Sequence, residues 1–130
     1  MNTSENPTES LRNLRKGLLD LHRELINSER VVFERSAGAI PSSAALLDLL
    51  PNDPWFEWLR PLSQRIAAID SALEDRETPV TAAVHQEHLE AVRRIATPDE
   101  FSSGAARNHF DAIQRDPEVA IAHARLRQLP

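Results

Sequence analysis

Four dipeptides constrain this chain more than any other feature. Asp53-Pro54, Thr78-Pro79, Thr97-Pro98 and Asp116-Pro117 each set a side chain that accepts hydrogen bonds directly before a proline. That order suits a helix N-cap followed by the first helical position, where the missing proline N–H costs nothing. Thr97-Pro98-Asp99-Glu100 also has the spacing of a capping box, with Glu100 placed to reach back to the Thr97 N–H. Only three glycines occur, tyrosine is absent, and no alternating apolar run has the length or β-branched content of a strand. The expected fold is all-α, a single-domain bundle of about five or six helices over residues 8–130, with residues 1–7 a disordered tail. A chain of 130 residues can bury a core without disulfide or metal staples. It has no cysteine, so disulfides, thiolate metal sites and thiol catalysis are excluded.

The first helix is expected from about residue 8 to about residue 37. Leu11, Leu14, Leu18, Leu21, Leu25 and Val32 recur at helical spacing and define one buried stripe. Such a helix is about 45 Å long at 1.5 Å per residue, against a diameter of roughly 36 Å for a compact domain of this size. It should therefore bend, with Gly17 the candidate, or project and offer Val31, Val32 and Phe33 as an oligomer surface. Gly38 and Pro41 end it. Ser42 or Ser43 then caps a short helix over residues 44–50, stopped by Pro51.

Residues 53–73 carry both tryptophans. At helical spacing Trp55, Leu59, Leu62, Ile66, Ile69 and Leu73 share one narrow face, and Pro61 falls inside that stripe. A long helix kinked at Pro61 is expected, with Trp55 in the core, Trp58 at its edge and Phe56 off the stripe. The kink would free the Glu57 carbonyl. If this face is exposed instead, Phe56, Trp58, Arg60 and Arg65 have the composition of an interaction surface. Helices over about residues 79–96, 98–115 and 117–129 complete the chain, and Ser102-Ser103-Gly104 weakens the first half of the second of these.

Polar residues interrupt two of the apolar faces. His22 and Glu29 lie within the leucine face of the first helix, while His88 is central to the face of the fourth and His85 flanks it. Buried polar groups need partners. His22, Glu29, His85 and His88, with Arg65, are therefore expected to form an internal polar cluster. A network that fixes helix register is the plainest role for it; a metal site and a His–Glu acid–base pair compete. His85 and His88 have a usable i, i+3 spacing, but His22 and Glu29 stand about 10 Å apart along the axis. No histidine has a glutamate three residues before it, so the Glu-x-x-His motif of di-iron bundles is absent. No nucleophile with its base, glycine-rich phosphate loop or pair of catalytic carboxylates accompanies the cluster. No catalytic residue, metal ligand or cofactor is therefore assigned, and His109 and His123 read as isolated helix-surface or core-edge residues.

The net charge of -5 disfavours nucleic acid as a partner, since that affinity rests on cationic contacts to phosphate. No apolar run approaches the roughly 18 residues of a membrane span. The polar, acidic opening MNTSENPTES does not have the form of a signal peptide. A cytoplasmic protein is expected. Arginine supplies 14 of the 15 basic residues, a skew that points to a GC-rich bacterial genome. Two segments, Leu18-Leu19-Asp20-Leu21-His22-Arg23 continuing to Glu29-Arg30, and Asp53-Pro54-Trp55-Phe56-Glu57-Trp58-Leu59-Arg60-Pro61-Leu62-Ser63, together resemble a family of small, uncharacterised all-helical bacterial proteins. The resemblance implies a helical bacterial protein and brings no activity and no site residue with it. The expected function is a non-enzymatic interaction or structural protein that self-associates or takes a protein partner. The alternative is a small metal- or ligand-binding bundle using the His/Glu cluster.

Overall fold

The computed structural model describes residues 6–130, which form six α-helices and one 3-10 segment. They are α1 (Pro7–Ala37), α2 (Ser43–Asn52), the 3-10 segment Pro54–Leu59, α3 (Arg60–Glu74), α4 (Ala82–Ile95), α5 (Ala105–Arg115) and α6 (Pro117–Arg127). No strand occurs among the described residues, and none of their helices is long and apolar enough to cross a membrane. Most of the expected tail, residues 1–5, lies outside the described residues. Asn6 caps α1, its Oδ1 accepting the Glu9 N–H at 2.7 Å, and Pro7 opens the helix.

The fold is built around α1. Leu11, Leu14, Leu18, Leu21 and Leu25 are all fully buried, and α3, α4, α5, α6 and the 3-10 segment pack against this one helix. Each such leucine contributes about 1.5–3 kcal/mol relative to an exposed one. The helix runs unbroken through Gly17. That glycine serves a close approach instead: a Cβ there would meet the Cδ1 atoms of Leu126 and Leu129 at 3.1 Å. The C-terminal end is covered too. Phe33 packs edge-on against Trp55, with ring centroids 5.7 Å apart, and leans on Phe56 at 5.3 Å. The loop that follows folds back, with the Ile40 N–H donating to Glu34 Oε2 at 2.7 Å and Arg30 Nη2 donating to the Ile40 carbonyl at 3.3 Å. Of the expected oligomer surface, only Val31 stands out into solvent.

Two of the four proline-marked starts operate as helix caps. Asp53 accepts the Trp55 N–H at 2.9 Å and Asp116 the Glu118 N–H at 3.0 Å, each with its proline opening the next element. The other two do not. After Thr78-Pro79 the chain stays outside any helix, with Val80 packed against the core, and the helix begins only when Thr81 accepts the Val84 N–H at 3.2 Å. Thr97 turns its hydroxyl back to the Arg93 carbonyl, so no capping box forms. Asp99 holds a turn by accepting the Phe101 N–H at 2.9 Å, and α5 starts after Gly104, whose φ of 77° favours glycine. Pro51 does not stop α2 either: Asn52 Nδ2 donates to the Asp48 carbonyl at 2.8 Å and the Asp53 N–H to the Leu49 carbonyl at 2.8 Å.

The Trp-containing helical run spans residues 54–74 and includes Pro61, but its winding changes just before that proline. Three residues per turn align Phe56, Leu59 and Leu62; the α-helical period then carries the stripe to Ile66 and Ile69. The aromatic assignments therefore reverse. Phe56 is 0% exposed and Trp55 is 38% exposed, because a spacing of 3.0 rather than 3.6 rotates Phe56 inward. Pro61 sits in the first turn of α3, where its missing N–H has no intrahelical acceptor to lose. The Glu57 carbonyl is not freed, since the Arg60 N–H takes it.

Candidate functional site

The expected polar cluster is divided among separate partners. Glu29 is buried beside Ser28, and Arg115 of α5 reaches both: Nη2 donates to Glu29 Oε2 at 2.7 Å and to Ser28 Oγ at 2.9 Å. This is the cation that a carboxylate on an apolar face requires. His88 is held by Arg65 of α3, 3.1 Å from its Nδ1. A guanidinium only donates, so Nδ1 is the acceptor and the imidazole is neutral with its proton on Nε2. Burial first, and the Arg65 charge second, push the His88 pKa below the ordinary histidine value. His85 is half-buried and adds a small repulsive effect on His88. His22 has no hydrogen-bond partner among the described residues, and burial lowers its pKa as well. Arg15, one heptad before His22, pairs with Asp70 of α3. No group of three or more His, Cys, Asp or Glu side chains is placed to hold a metal ion among the described residues. The reason is geometric: α1 is ringed by helices, and residues a heptad apart on it face different neighbours.

A second histidine pair was not expected from the sequence. His109 of α5 is buried and meets His123 of α6 edge-to-face, with ring centroids 5.0 Å apart. His109 Nε2 and His123 Nδ1 are buried without hydrogen-bond partners. Desolvation, reinforced by His123, pushes the His109 pKa down to about 4. The His123 pKa is lowered by burial and then by Arg127. At three-residue spacing His109, Ala112 and Arg115 fall on one side of α5, and His109 and Ala112 on that side are buried.

A cleft with room for a ligand lies beneath α2. This helix has Leu46, Leu47, Leu49 and Leu50 in ten residues, yet none of its side chains is fully buried. It packs mainly on the 3-10 segment, with Leu46, Leu49 and Leu50 half-covered and Leu47 68% exposed. A cleft of about 400 Å³ remains between it and the rest of the fold. Leu47, Leu50 and Pro51 form one wall, Phe56 and Leu59 another, and His22 lines it from α1. Arg60, Ser63 and Gln64 of α3 add the remaining polar groups. Arg60 is tethered at the cleft: Nη2 donates to the Pro51 carbonyl at 2.6 Å and Nη1 to Glu57 Oε2 at 3.4 Å.

The expected interaction surface is not contiguous. Phe56 is core, Trp58 is half-buried with its Nε1 enclosed and unpartnered, and Arg65 is committed to His88. Of the four, Arg60 and the buried Phe56 line the cleft, and Arg60 alone brings a polar group to it. Compared with family models, with curated proteins and with solved structures, the chain matches none, so no residue role is carried over to it from a relative.

Proposed function

We propose that this chain is a small, non-enzymatic binding protein whose cleft under α2 takes an amphipathic small molecule. One observation carries the reading: an apolar cleft of about 400 Å³ on which His22, Arg60, Ser63 and Gln64 bring a few polar groups to bear. Small-molecule sites share this make-up, with volumes of roughly 300–1,000 Å³ and a few polar groups that set orientation. The apolar walls drive entry by desolvation. His22 is neutral at pH 7 because burial lowers its pKa, so it offers one donor and one acceptor. No nucleophile is activated there. The Ser63 hydroxyl donates to the Arg60 carbonyl at 3.0 Å rather than to His22.

Calorimetric titration with 1-decanol tests the reading, since this ligand is apolar along its length and uncharged at its head. Saturable binding at one site is expected. Ser63→Phe, at an exposed position lining the cleft, should abolish it while leaving the melting temperature unchanged. If neither decanol nor its carboxylate counterpart binds, the reading is wrong.

A second reading keeps the chain as an interaction protein that self-associates or takes a protein partner. It is favoured by Phe101, 90% exposed in the turn before α5, together with Leu47. Light scattering over a concentration range tests self-association, and a strict monomer at the highest concentration removes it.

A further inference from the structure

We infer that the ligand class of the cleft is a medium-chain carboxylate, its alkyl chain along Leu47, Leu50 and Pro51, above a floor of Phe56 and Leu59, and its head group on Arg60. This rests on the cleft being a binding site and adds the chemistry that selects the occupant.

Charge selects the head group. Among the described residues Arg60 is the one formally charged residue lining the cleft, in a chain whose net charge is -5. No carboxylate among the described residues lines the walls themselves; Glu57, which pairs with Arg60 at 3.4 Å, is 66% exposed and screened by solvent, and His22 stays neutral, so it supplies no second cation. A single guanidinium matches a single carboxylate, which it grips with paired parallel N–H bonds. A phosphate ester or polyanion would leave charge uncompensated, and an ammonium ligand would face Arg60 directly.

The way Arg60 is held also leaves it open to a carboxylate. The Pro51 carbonyl fixes one arm of the guanidinium at 2.6 Å. The ion pair with Glu57 is long at 3.4 Å, and the Glu57 side chain is 66% exposed. An exposed pair of this kind is worth about 0–1 kcal/mol, so a ligand carboxylate readily displaces it. Five N–H donors are available on a guanidinium; the Pro51 bond keeps one, and displacing Glu57 leaves four for a ligand. Gln64 adds an amide nearby.

Size also limits the occupant. At about 30 Å³ for each water-sized group, a cleft of about 400 Å³ has room for roughly a dozen non-hydrogen atoms. Decanoate fits that limit. A membrane lipid with two long chains does not.

The experiment compares decanoate, 1-decanol and decylammonium by calorimetry at pH 7.5, each below the concentration at which it self-assembles. Decanoate should bind about tenfold more tightly than decanol, the gain expected from one charge-assisted hydrogen-bonded pair, and decylammonium should bind more weakly than either. In Arg60→Gln the decanoate advantage should vanish while decanol binding persists. Arg60→Lys, which keeps the charge and loses the paired geometry, should fall between. The wild-type ligand ratios and Arg60→Lys still decide the matter if Arg60→Gln fails to fold. Equal binding of decanoate and decanol overturns the anionic head and leaves the cleft standing. Tightest binding of decylammonium overturns it as well. No binding of any of the three overturns the cleft and this inference together. Concentration-dependent dimers that Ser63→Phe dissolves would assign the cleft to a second copy of the chain instead.

Discussion

α1 and α2 are both leucine-rich, and the fold treats them in opposite ways. In α1 five leucines on one stripe are enclosed by five other elements, whereas α2 packs four leucines into ten residues and fully buries none. Hydropathy alone would rank α2 as the more buried helix. What decides burial is the number of neighbours: α1 has them on several sides, and α2 rests chiefly on a six-residue 3-10 segment. The apolar surface that α2 cannot bury against protein forms the wall of a cleft. One helix stabilises the molecule, and the other leaves it a surface to use.

The largest expected effects test that division directly. Leu21→Ala, in the enclosed stripe of α1, should cost about 2–5 kcal/mol, read as a fall in the urea midpoint. Leu47→Ala in α2 should lie within about 0.5 kcal/mol of the parent. Comparable losses from the two would show that α2 is closed onto the core in solution and that the cleft is not open.

Next in size is the ion pair that ties α5 to α1. Arg115 is 31% exposed and Glu29 10% exposed, so the two partners are not equivalent. Arg115→Ala leaves a buried carboxylate without its cation and should cost about 3 kcal/mol. Glu29→Gln leaves a neutral amide that Arg115 can still reach, and should cost about 1 kcal/mol. Equal costs would place Glu29 in contact with water and remove it from the enclosed region.

A pH titration of stability separates the regions in another way. The pKa of His109 is pushed from 6.5 to about 4 in the folded chain, while unfolding restores the ordinary value. Between those values the unfolded state binds the extra proton. The stabilisation is complete above pH 6.5 and is lost as pH falls toward 4, by up to about 1.4 kcal/mol for each pH unit inside the window. His22, His88 and His123 are shifted in the same direction and steepen the decline. Urea midpoints measured from pH 7.5 to 4.5 should fall, and His109→Leu should flatten the curve more than His22→Leu does. The reverse order would make the cleft, rather than the α5–α6 contact, the drier environment.

The helical fold was legible because its signals are local. Leucine spacing marked α1, and an aspartate before a proline marked the 3-10 segment and α6. Thr78 and Thr97 misled because a cap is a competition: Thr81 offered a better start three residues on, and Gly104 opened the chain before α5. The Trp55/Phe56 reversal arose from a change of helical period, which no stripe drawn at 100° per residue reveals. The candidate site was harder to read. His22 stands out in the sequence as a polar residue on an apolar face, but Leu47, Leu50, Ser63 and Gln64 become neighbours only through the stacking of α2 on the 3-10 segment. Arg115 and Glu29 are 86 residues apart in sequence, and their pairing depends on how α5 docks.

The smallest effect bears on the segment that joins the two regions. Trp58 lies in the 3-10 segment between the core and α2, packed against the core with its Nε1 buried and unpaired. An enclosed donor with no acceptor costs about 1–3 kcal/mol, and removing it offsets most of the apolar area lost when an indole becomes a phenyl ring. Trp58→Phe should therefore be neutral or stabilising by up to about 1 kcal/mol in a urea titration followed by circular dichroism. Decanol affinity should change little, because Trp58 does not line the cleft. A loss well beyond that range would mean that the indole N–H has an acceptor in solution, which places the 3-10 segment closer to α2. Trp58 would then help to hold in place the segment whose Phe56 and Leu59 wall the cleft.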